Sequence, residues 1–198
     1  MVGFPPYFAD SAWYGRWIES LHLGHDIAKS ILIANEKAAP REFARCRIAD
    51  VEDKEMLLSM AVEGGARKLK NRENIETLRL SDHGNWRHVH LKAMEACYGR
   101  KPFFIHLFPY LKALYRNEEL KTLDVFNTEA HKIVVRFLLG NINVSEFNLF
   151  PTNPVLMERG KEIAGEIKRD FSVIDAIMNF GPEAIIGIFS LYIQQESE

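Results

Sequence analysis

The segment from Thr77 to Tyr98 most constrains the fold, because its hydrophobic periodicity changes from two residues to about 3.6 within a few positions. Residues 77–80 alternate polar and apolar side chains, which is typical of a half-buried strand. From Trp86 onward, apolar side chains recur at helical spacing as far as Tyr98. Between these parts, Ser81 or Asp82 is a typical helix N-cap. The sequence therefore predicts a strand, a polar turn and a helix in immediate succession.

The predicted helix carries basic side chains on the side that should face the core. On a helical wheel, at about 100° per residue, the solvated face holds His88, Lys92 and Glu95. The opposite side holds Trp86, Arg87, His90, Ala93, Met94 and Cys97, and His83 as well if the helix extends backward. Burial of unpaired polar groups is unfavourable, so the basic groups either form internal hydrogen bonds and ion pairs or face a water-filled pocket. With the free N–H donors of the helix start, they predict a small anion-binding or acid/base site.

Three apolar segments before residue 80 predict strands, namely Ile27–Ala34, Glu42–Ile48 and Met56–Val62. In the second segment Arg45 and Arg47 share the polar face, where they meet either a substrate anion or surface carboxylates. We therefore expect an α+β fold. Its strand-rich N-terminal half would form a mixed or antiparallel sheet, covered by C-terminal helices.

The second half of the chain has the periodicity of helices. Phe103–Tyr115 is apolar, but Pro109 should interrupt it or start a second piece. A clean amphipathic helix is expected over Asn127–Leu139, capped by its first residues. Another helix should run from Asn153 to about residue 170, and a last one should start at Gly181-Pro182-Glu183.

Residues 141–154 are predicted to form a long loop, which separates a core of residues 1–140 from a helical extension of residues 141–198. A chain of 198 residues suits one domain, so we expect the extension to pack on the same domain. The net charge of −2 gives no general attraction to nucleic acid. Two cysteines and the lack of a signal-like start predict a cytoplasmic protein. The apolar stretch Ala184–Ile193 is too short for membrane insertion.

Two further clusters have a structural and a functional interpretation. The dense aromatic segment around Trp13, Tyr14 and Trp17 is typical of a core, and a stacking platform for a sugar or base is the alternative. The basic run Arg67–Arg72 is typical of a solvated loop, with phosphate contact as the alternative.

One motif resembles a known family. It runs from Leu80 to His90 (L-S-D-H-G-N-W-R-H-V-H) and is followed by Tyr98-Gly99 and Pro102-Phe103-Phe104. This pattern resembles the signature of the WbqC-like protein family, and the likeness covers about residues 5–140. The resemblance implies an association with bacterial surface-polysaccharide gene clusters, including those for O-antigen. For some members it also implies a suggested glycyl-transferase role.

The chain departs from the family pattern in two places. Where relatives tend to have R-N-R-C, this chain has Phe43-Ala44-Arg45-Cys46. Acidic positions that are common after P-F-F are replaced by Ile105-His106-Leu107-Phe108. Any chemistry that relatives carry at these positions would be altered or lost here.

The first hypothesis that the resemblance implies is the transfer of an aminoacyl or related acyl group to a sugar. That reaction needs a base near the attacking amine or hydroxyl, and donors directed at the developing oxyanion. His83 and His90 are the candidate catalytic bases. Arginine suits bidentate binding of a carboxylate or of a nucleotide-sugar phosphate. The expected contacts to such a small-molecule or sugar substrate are Arg45, Asp82, Asn85, Trp86 and Arg87.

Other chemistries fit the sequence less well. We expect no metal or cofactor, because on a helix His88 points away from His83 and His90. Cys97 lies about two turns beyond His90, too far for a direct hydrogen bond. The alternative to an enzyme is a non-catalytic binding or scaffold protein of the same pathway. An enzyme predicts His83, Arg87 and His90 at the floor of an open pocket, whereas a scaffold predicts them sealed by internal hydrogen bonds.

Overall fold

Helices make up most of the computed structural model, which describes residues 2–73, 75–140 and 153–196. The loop predicted at residues 141–154 therefore lies almost wholly outside the described residues. Within them the α-helices are α1 (Ser11–His22), α2 (Ile27–Asn35), α3 (Trp86–Tyr98), α4 (Phe104–Arg116), α5 (Leu123–Leu139), α6 (Pro154–Glu166), α7 (Val173–Phe180) and α8 (Ala184–Glu196).

The sheet is small and antiparallel. It consists of β1 (Arg45–Ala49) and β2 (Glu55–Ser59). The prediction of a mixed α and β fold is confirmed, but the prediction of a strand-rich N-terminal half is wrong, since the described residues hold only this one pair of strands. Short 3-10 helices and single bridges occupy much of the region expected to be sheet.

The first predicted strand, Ile27–Ala34, is the helix α2. The Asp26 carboxylate accepts a hydrogen bond from the Lys29 main-chain N–H at 2.8 Å and so caps the helix start. The buried residues of this segment are Ser30, Ile31, Ala34 and Asn35, and this spacing of i, i+1, i+4 and i+5 is a helical pattern rather than a strand pattern. The run of apolar and β-branched residues was misleading, because the helix cap at Asp26 and the helical spacing of the buried residues outweigh strand propensity here.

The other two predicted strands are partly correct. The Glu42–Ile48 segment begins as a 3-10 helix over Pro40–Phe43, and its strand starts only at Arg45. After β2 the chain stays extended, and the Ala61 carbonyl accepts a hydrogen bond from the Ser81 N–H at 2.9 Å. The expected strand at residues 77–80 is reduced to bridges at Arg79 and Leu80.

Among the predicted helices, α3 has the expected bounds, whereas α6 ends at Glu166 rather than near residue 170, and α4 and α5 also differ. Helix α4 runs through Pro109 without a break. Pro109 lacks the N–H that would bond to the Ile105 carbonyl, and Ile105 is exposed, so water can satisfy that carbonyl. Helix α5 starts at Leu123, four residues before the predicted cap at Asn127, because Thr122 occupies the N-cap position.

The C-terminal helices pack on one another and on α1 at very close range. A Cβ atom added at Gly187 of α8 would lie 2.3 Å from Ile163 Cγ2 of α6. At Gly15 of α1, an added Cβ would lie 2.9 Å from Tyr192 Cβ of α8. Only glycine permits these approaches, so α6, α8 and α1 form a tightly packed helical layer.

The stretch Val173–Gln194 is long and apolar enough to cross a membrane, with a mean hydropathy of 1.4. It exceeds the Ala184–Ile193 stretch considered above because α7, a 3-10 turn and α8 follow one another directly. In this fold 61% of its most apolar window is buried, as in the core helices of soluble proteins.

Candidate functional site

A left-handed turn precedes helix α3 and shapes the predicted site. Gly84 has φ 74° and Asn85 has φ 48°, so two consecutive residues lie in the left-handed region. Glycine adopts that region freely and asparagine tolerates it. Asn85, rather than the predicted Ser81 or Asp82, is the N-cap of α3, and its side chain forms no capping hydrogen bond.

The turn is held from below by Trp86. The indole N–H of this buried residue donates to the Ser81 carbonyl at 2.8 Å. Asp82, His83, Gly84 and Asn85 are all exposed above it. The turn therefore forms a ridge on the protein surface, with Trp86 as its base.

Two grooves of about 770 Å³ each lie on either side of this ridge. The strand groove is bounded by residues 57–66 after and along β2, by the start of α3 and by Arg45. The loop groove is bounded by Glu63, by residues between Arg79 and Leu91, and by residues 115–121 at and beyond the end of α4. Trp86 lines both grooves.

The strand groove collects both candidate bases and one of the predicted arginines. His83, His90 and Arg45 all line it. His83 is exposed, and its ring forms no hydrogen bond with a described residue. The half-buried Arg45 guanidinium likewise has no hydrogen-bond or ion-pair partner among the described residues. Both groups are therefore free to contact a ligand.

His90 is held in place from two directions. Its Nδ1 lies 2.8 Å from the Tyr7 hydroxyl, which in turn hydrogen-bonds the Tyr115 hydroxyl. The ring also hydrogen-bonds the Ser59 backbone, and this raises the His90 pKa, as expected if the ring donates to the Ser59 carbonyl. Nδ1 is then the acceptor for the Tyr7 O–H, and both ring nitrogens are engaged.

Burial keeps His90 neutral. Desolvation lowers its pKa from the usual 6.5 to about 4, and the Ser59 hydrogen bond opposes this only in part. His90 is 3% exposed. It is thus a neutral, fixed group in the wall of the strand groove.

The loop groove holds the other predicted contacts, namely Asp82, Asn85 and Arg87. Arg87 Nη2 donates to the Leu120 carbonyl at 2.7 Å, and Nη1 donates to the Tyr115 carbonyl at 3.2 Å. Its guanidinium also stacks on Trp86, 4.9 Å from the ring centroid. Arg87 therefore ties the end of α4 to α3 with most of its donors.

The electrostatics of Arg87 reflect this position. Burial lowers the pKa of its guanidinium, and the Asp82 carboxylate partly offsets the effect. His88, predicted on the solvated face, is exposed and also lines the loop groove. The structure thus divides the predicted site residues between two grooves, with Trp86 in common.

Sequence reasoning missed Tyr7 and Tyr115, whose hydroxyls hold His90. Their contacts span 83 and 108 residues of sequence, so no local pattern could have indicated them. Both hydroxyls are fully buried, and desolvation raises the pKa of each. They form an uncharged hydrogen-bonded chain at physiological pH.

The structure does not favour a cysteine nucleophile, a metal site or an aromatic stacking platform. Burial raises the pKa of the Cys46 and Cys97 thiols, which disfavours the nucleophilic thiolate. No group of three or more His, Cys, Asp or Glu side chains within residues 2–73, 75–140 and 153–196 is placed to hold a metal ion. Trp13 and Trp17 are 2% and 0% exposed, so neither can stack on an external ring.

Comparison with known proteins identifies one family. The sequence model of the WbqC-like protein family matches residues 25–153, which include the residues of the strand and loop grooves but not Tyr7. Comparisons with curated proteins and with solved structures give no significant match.

Proposed function

The chain belongs to the WbqC-like protein family, and from that premise we propose that it transfers an aminoacyl (glycyl) or related acyl group to a sugar. The pathway would be bacterial surface-polysaccharide biosynthesis, with which members of the family are associated. The substrate would be a small molecule or sugar, such as a nucleotide-sugar, encountered in the cytoplasm.

The observation that carries this proposal is the pairing of two free groups in the strand groove. His83 offers an exposed imidazole, and Arg45 offers a guanidinium without a partner among the described residues. A neutral imidazole can accept the proton of an attacking amine or hydroxyl. A free guanidinium can bind a carboxylate or phosphate in bidentate fashion. Together they supply a base and an anchor for an anionic substrate.

The proposed step moves one proton and exchanges one bond. The sugar amine or hydroxyl attacks the acyl carbonyl while His83 takes its proton. The bond from the acyl carbon to its leaving group then breaks, and His83 returns the proton to that leaving group. His90 does not take part directly, because both of its nitrogens are engaged, and it holds the groove wall beside Ser59.

The loop groove would hold the sugar or nucleotide part of a substrate. Asp82 and Asn85 are exposed there and can bond to hydroxyl groups. Arg87 is largely satisfied by main-chain carbonyls, so its expected role is to shape this groove.

A thermal-shift screen with nucleotide-sugars and amino acids tests the proposal. Binding to the native state stabilises it by about 2.7 kcal/mol at a hundredfold excess over Kd. At least one ligand should stabilise the wild type, and that shift should be reduced in His83→Ala and in Arg45→Gln. Lys92→Ala, on the solvated face of α3 and outside both grooves, is the matched control. Equal shifts in wild type and His83→Ala for every ligand would rule the site out.

The second candidate is a non-catalytic protein that binds a carbohydrate or nucleotide-sugar in the same pathway. It is favoured by the internal hydrogen bonds of His90 and Arg87, which resemble a sealed network more than a reactive one. The protein is incubated with an amino acid and a nucleotide-sugar that both bind, and the products are analysed by mass spectrometry. This experiment distinguishes an enzyme from a binding protein. An enzyme yields an acylated sugar that His83→Ala does not form, whereas a binding protein yields none with either chain.

A further inference from the structure

The outer edge of β2 lies open along the strand groove. In the register of the sheet Arg45 is opposite Ser59, and the Met60 N–H donates to the Ala44 carbonyl at 2.8 Å. In an antiparallel ladder this means that even-numbered residues of β2 bond to β1. The N–H and C=O groups of Leu57 and Ser59 therefore point away from β1.

The corresponding edge of β1 is closed by the chain itself. The Arg47 carbonyl accepts a hydrogen bond from the Ser172 N–H at 2.7 Å. The Ala49 backbone hydrogen-bonds the Asp175 carboxylate, which contributes to lowering the Asp175 pKa against the effect of burial. Among the described residues, the outer edge of β1 is therefore occupied, and the β2 side is where a further strand can add.

The β2 side is closed only at and beyond the end of the strand, which leaves a short gap along the strand itself. Beyond the strand, the Ala61 carbonyl is taken by Ser81, and the Ser59 carbonyl is taken by His90. The Leu57 N–H and C=O and the Ser59 N–H have no partner among the described residues. Such unpaired edge groups are a template for another extended chain.

The charges around this gap favour an acidic ligand. Arg45 is opposite Ser59 and has no described partner. Glu63 is the only acidic side chain among the described residues that line the groove, and Arg79 neutralises it at 3.4 Å. Arg67 and Lys68, in the turn that ends the groove, form no ion pair with a described residue.

We propose that the strand groove binds an extended acidic peptide segment of a partner protein, which adds to β2 as a third strand. Its main chain pairs with Leu57 and the Ser59 N–H, and an acidic side chain reaches Arg45. Alternate apolar side chains pack on Leu57 and Val89, which are 47% and 53% exposed. This inference shares the groove with the proposed function but needs no chemistry at His83.

The probe is a fluorescein-labelled hexapeptide of alternating valine and glutamate, measured by fluorescence anisotropy on the full chain. We expect wild type to bind it and to bind a lysine-for-glutamate version roughly tenfold more weakly. A version with N-methyl groups on alternate residues cannot pair with an edge strand and should lose binding. That contrast uses the wild-type protein and depends on no variant.

Three variants locate the binding. Leu57→Pro removes an outward N–H, a position where an edge strand tolerates proline, and should weaken binding roughly tenfold. Arg45→Gln should weaken binding and reduce its dependence on salt. Arg47→Gln is the matched control, since Arg47 pairs with Glu55 at 3.5 Å and does not line the groove.

Several results would overturn the inference. These are no binding by wild type, equal binding of the N-methylated peptide, or unchanged binding by a Leu57→Pro chain that keeps its circular dichroism. A wild-type dimer that Leu57→Pro converts to monomer would show that a second copy occupies the edge instead. Loss of peptide binding in Leu57→Pro with an intact nucleotide-sugar response would leave the proposed function unaffected.

Discussion

Two buried tyrosine–histidine pairs in this protein have nearly the same local chemistry. The Tyr7 hydroxyl lies 2.8 Å from His90 Nδ1, and the Tyr14 hydroxyl lies 2.9 Å from His131 Nδ1. Desolvation lowers the pKa of both histidines to about 4. Judged by the tyrosine hydrogen bond and the pKa alone, either histidine would be an equal candidate for function.

Their surroundings separate them. His90 is one link in a chain from Tyr115 to Ser59 and lines the strand groove. His131 is enclosed by the rings of Trp13 and Trp17, and its Nε2 has no hydrogen-bond partner among the described residues. A perturbed pKa reports burial in both cases, so a cavity and a continuous network are what distinguish a candidate site from core.

The largest expected effect is acid destabilisation, which both pairs should share. Each histidine has a folded pKa of about 4, below its unfolded value of 6.5. Each therefore adds stability above pH 6.5 that is lost as the pH falls towards 4, by about 3 kcal/mol per histidine. Urea unfolding of wild type, His90→Gln and His131→Gln at pH 7 and pH 4 measures this.

Each variant should lose about 3 kcal/mol less than wild type between those pH values. Comparison with wild type is needed because burial raises the pKa of Asp10 and Asp175, which opposes acid unfolding. A wild-type pH dependence retained in either variant would mean that the histidine is already solvated in the native state.

The next effect should differ between the pairs. Tyr7→Phe leaves both His90 Nδ1 and the Tyr115 hydroxyl without a partner, at an expected cost of about 2 kcal/mol. Tyr14→Phe leaves only His131 Nδ1 unpaired, at an expected cost of about 1 kcal/mol. Denaturant unfolding at pH 7 gives both values. Equal costs would show that the link to Tyr115 adds nothing.

The smallest expected effect is on ligand affinity in the strand groove, and it tests the difference between the two tyrosine–histidine pairs most directly. Removal of the Tyr7 hydroxyl loosens His90 beside Ser59, so ligand affinity in the strand groove should fall roughly threefold in Tyr7→Phe. Tyr14→Phe should leave that affinity unchanged, because His131 lines neither groove. Anisotropy with the labelled acidic hexapeptide measures both. A similar loss in both variants would remove the distinction drawn here.

The sequence allowed local elements to be predicted where local signals agree. The bounds of α3 follow from apolar spacing between a polar turn and Gly99, and the structure has the same bounds. The strand assigned to Ile27–Ala34 failed because an apolar run of this length suits either element, and the Asp26 cap decides for helix. The break expected at Pro109 failed because Ile105, whose carbonyl loses a partner, is exposed.

The candidate site was predictable only in its local part. The motif from Asp82 to His90 placed Trp86 and His90 in the interior, as observed. The helical wheel placed His83 with them only if the helix extended backward, but α3 starts at Trp86, and His83 is exposed before the left-handed residues Gly84 and Asn85. The hydrogen-bond partners of Arg87 and His90 come from distant parts of the chain. The spacing of residues in the sequence therefore could not show how many of the polar atoms of Arg87 and His90 are already hydrogen-bonded.

The closure of β1 by Ser172 and Asp175 bears on where this protein can be trimmed. Both residues lie beyond the end of the family match at residue 153, and helix α1 lies before its start. A fragment of residues 25–153 would leave the outer edge of β1 without these partners and would remove the aromatic rings of α1 from His131. We therefore expect the smallest fragment that folds to extend well past the boundaries that sequence similarity suggests.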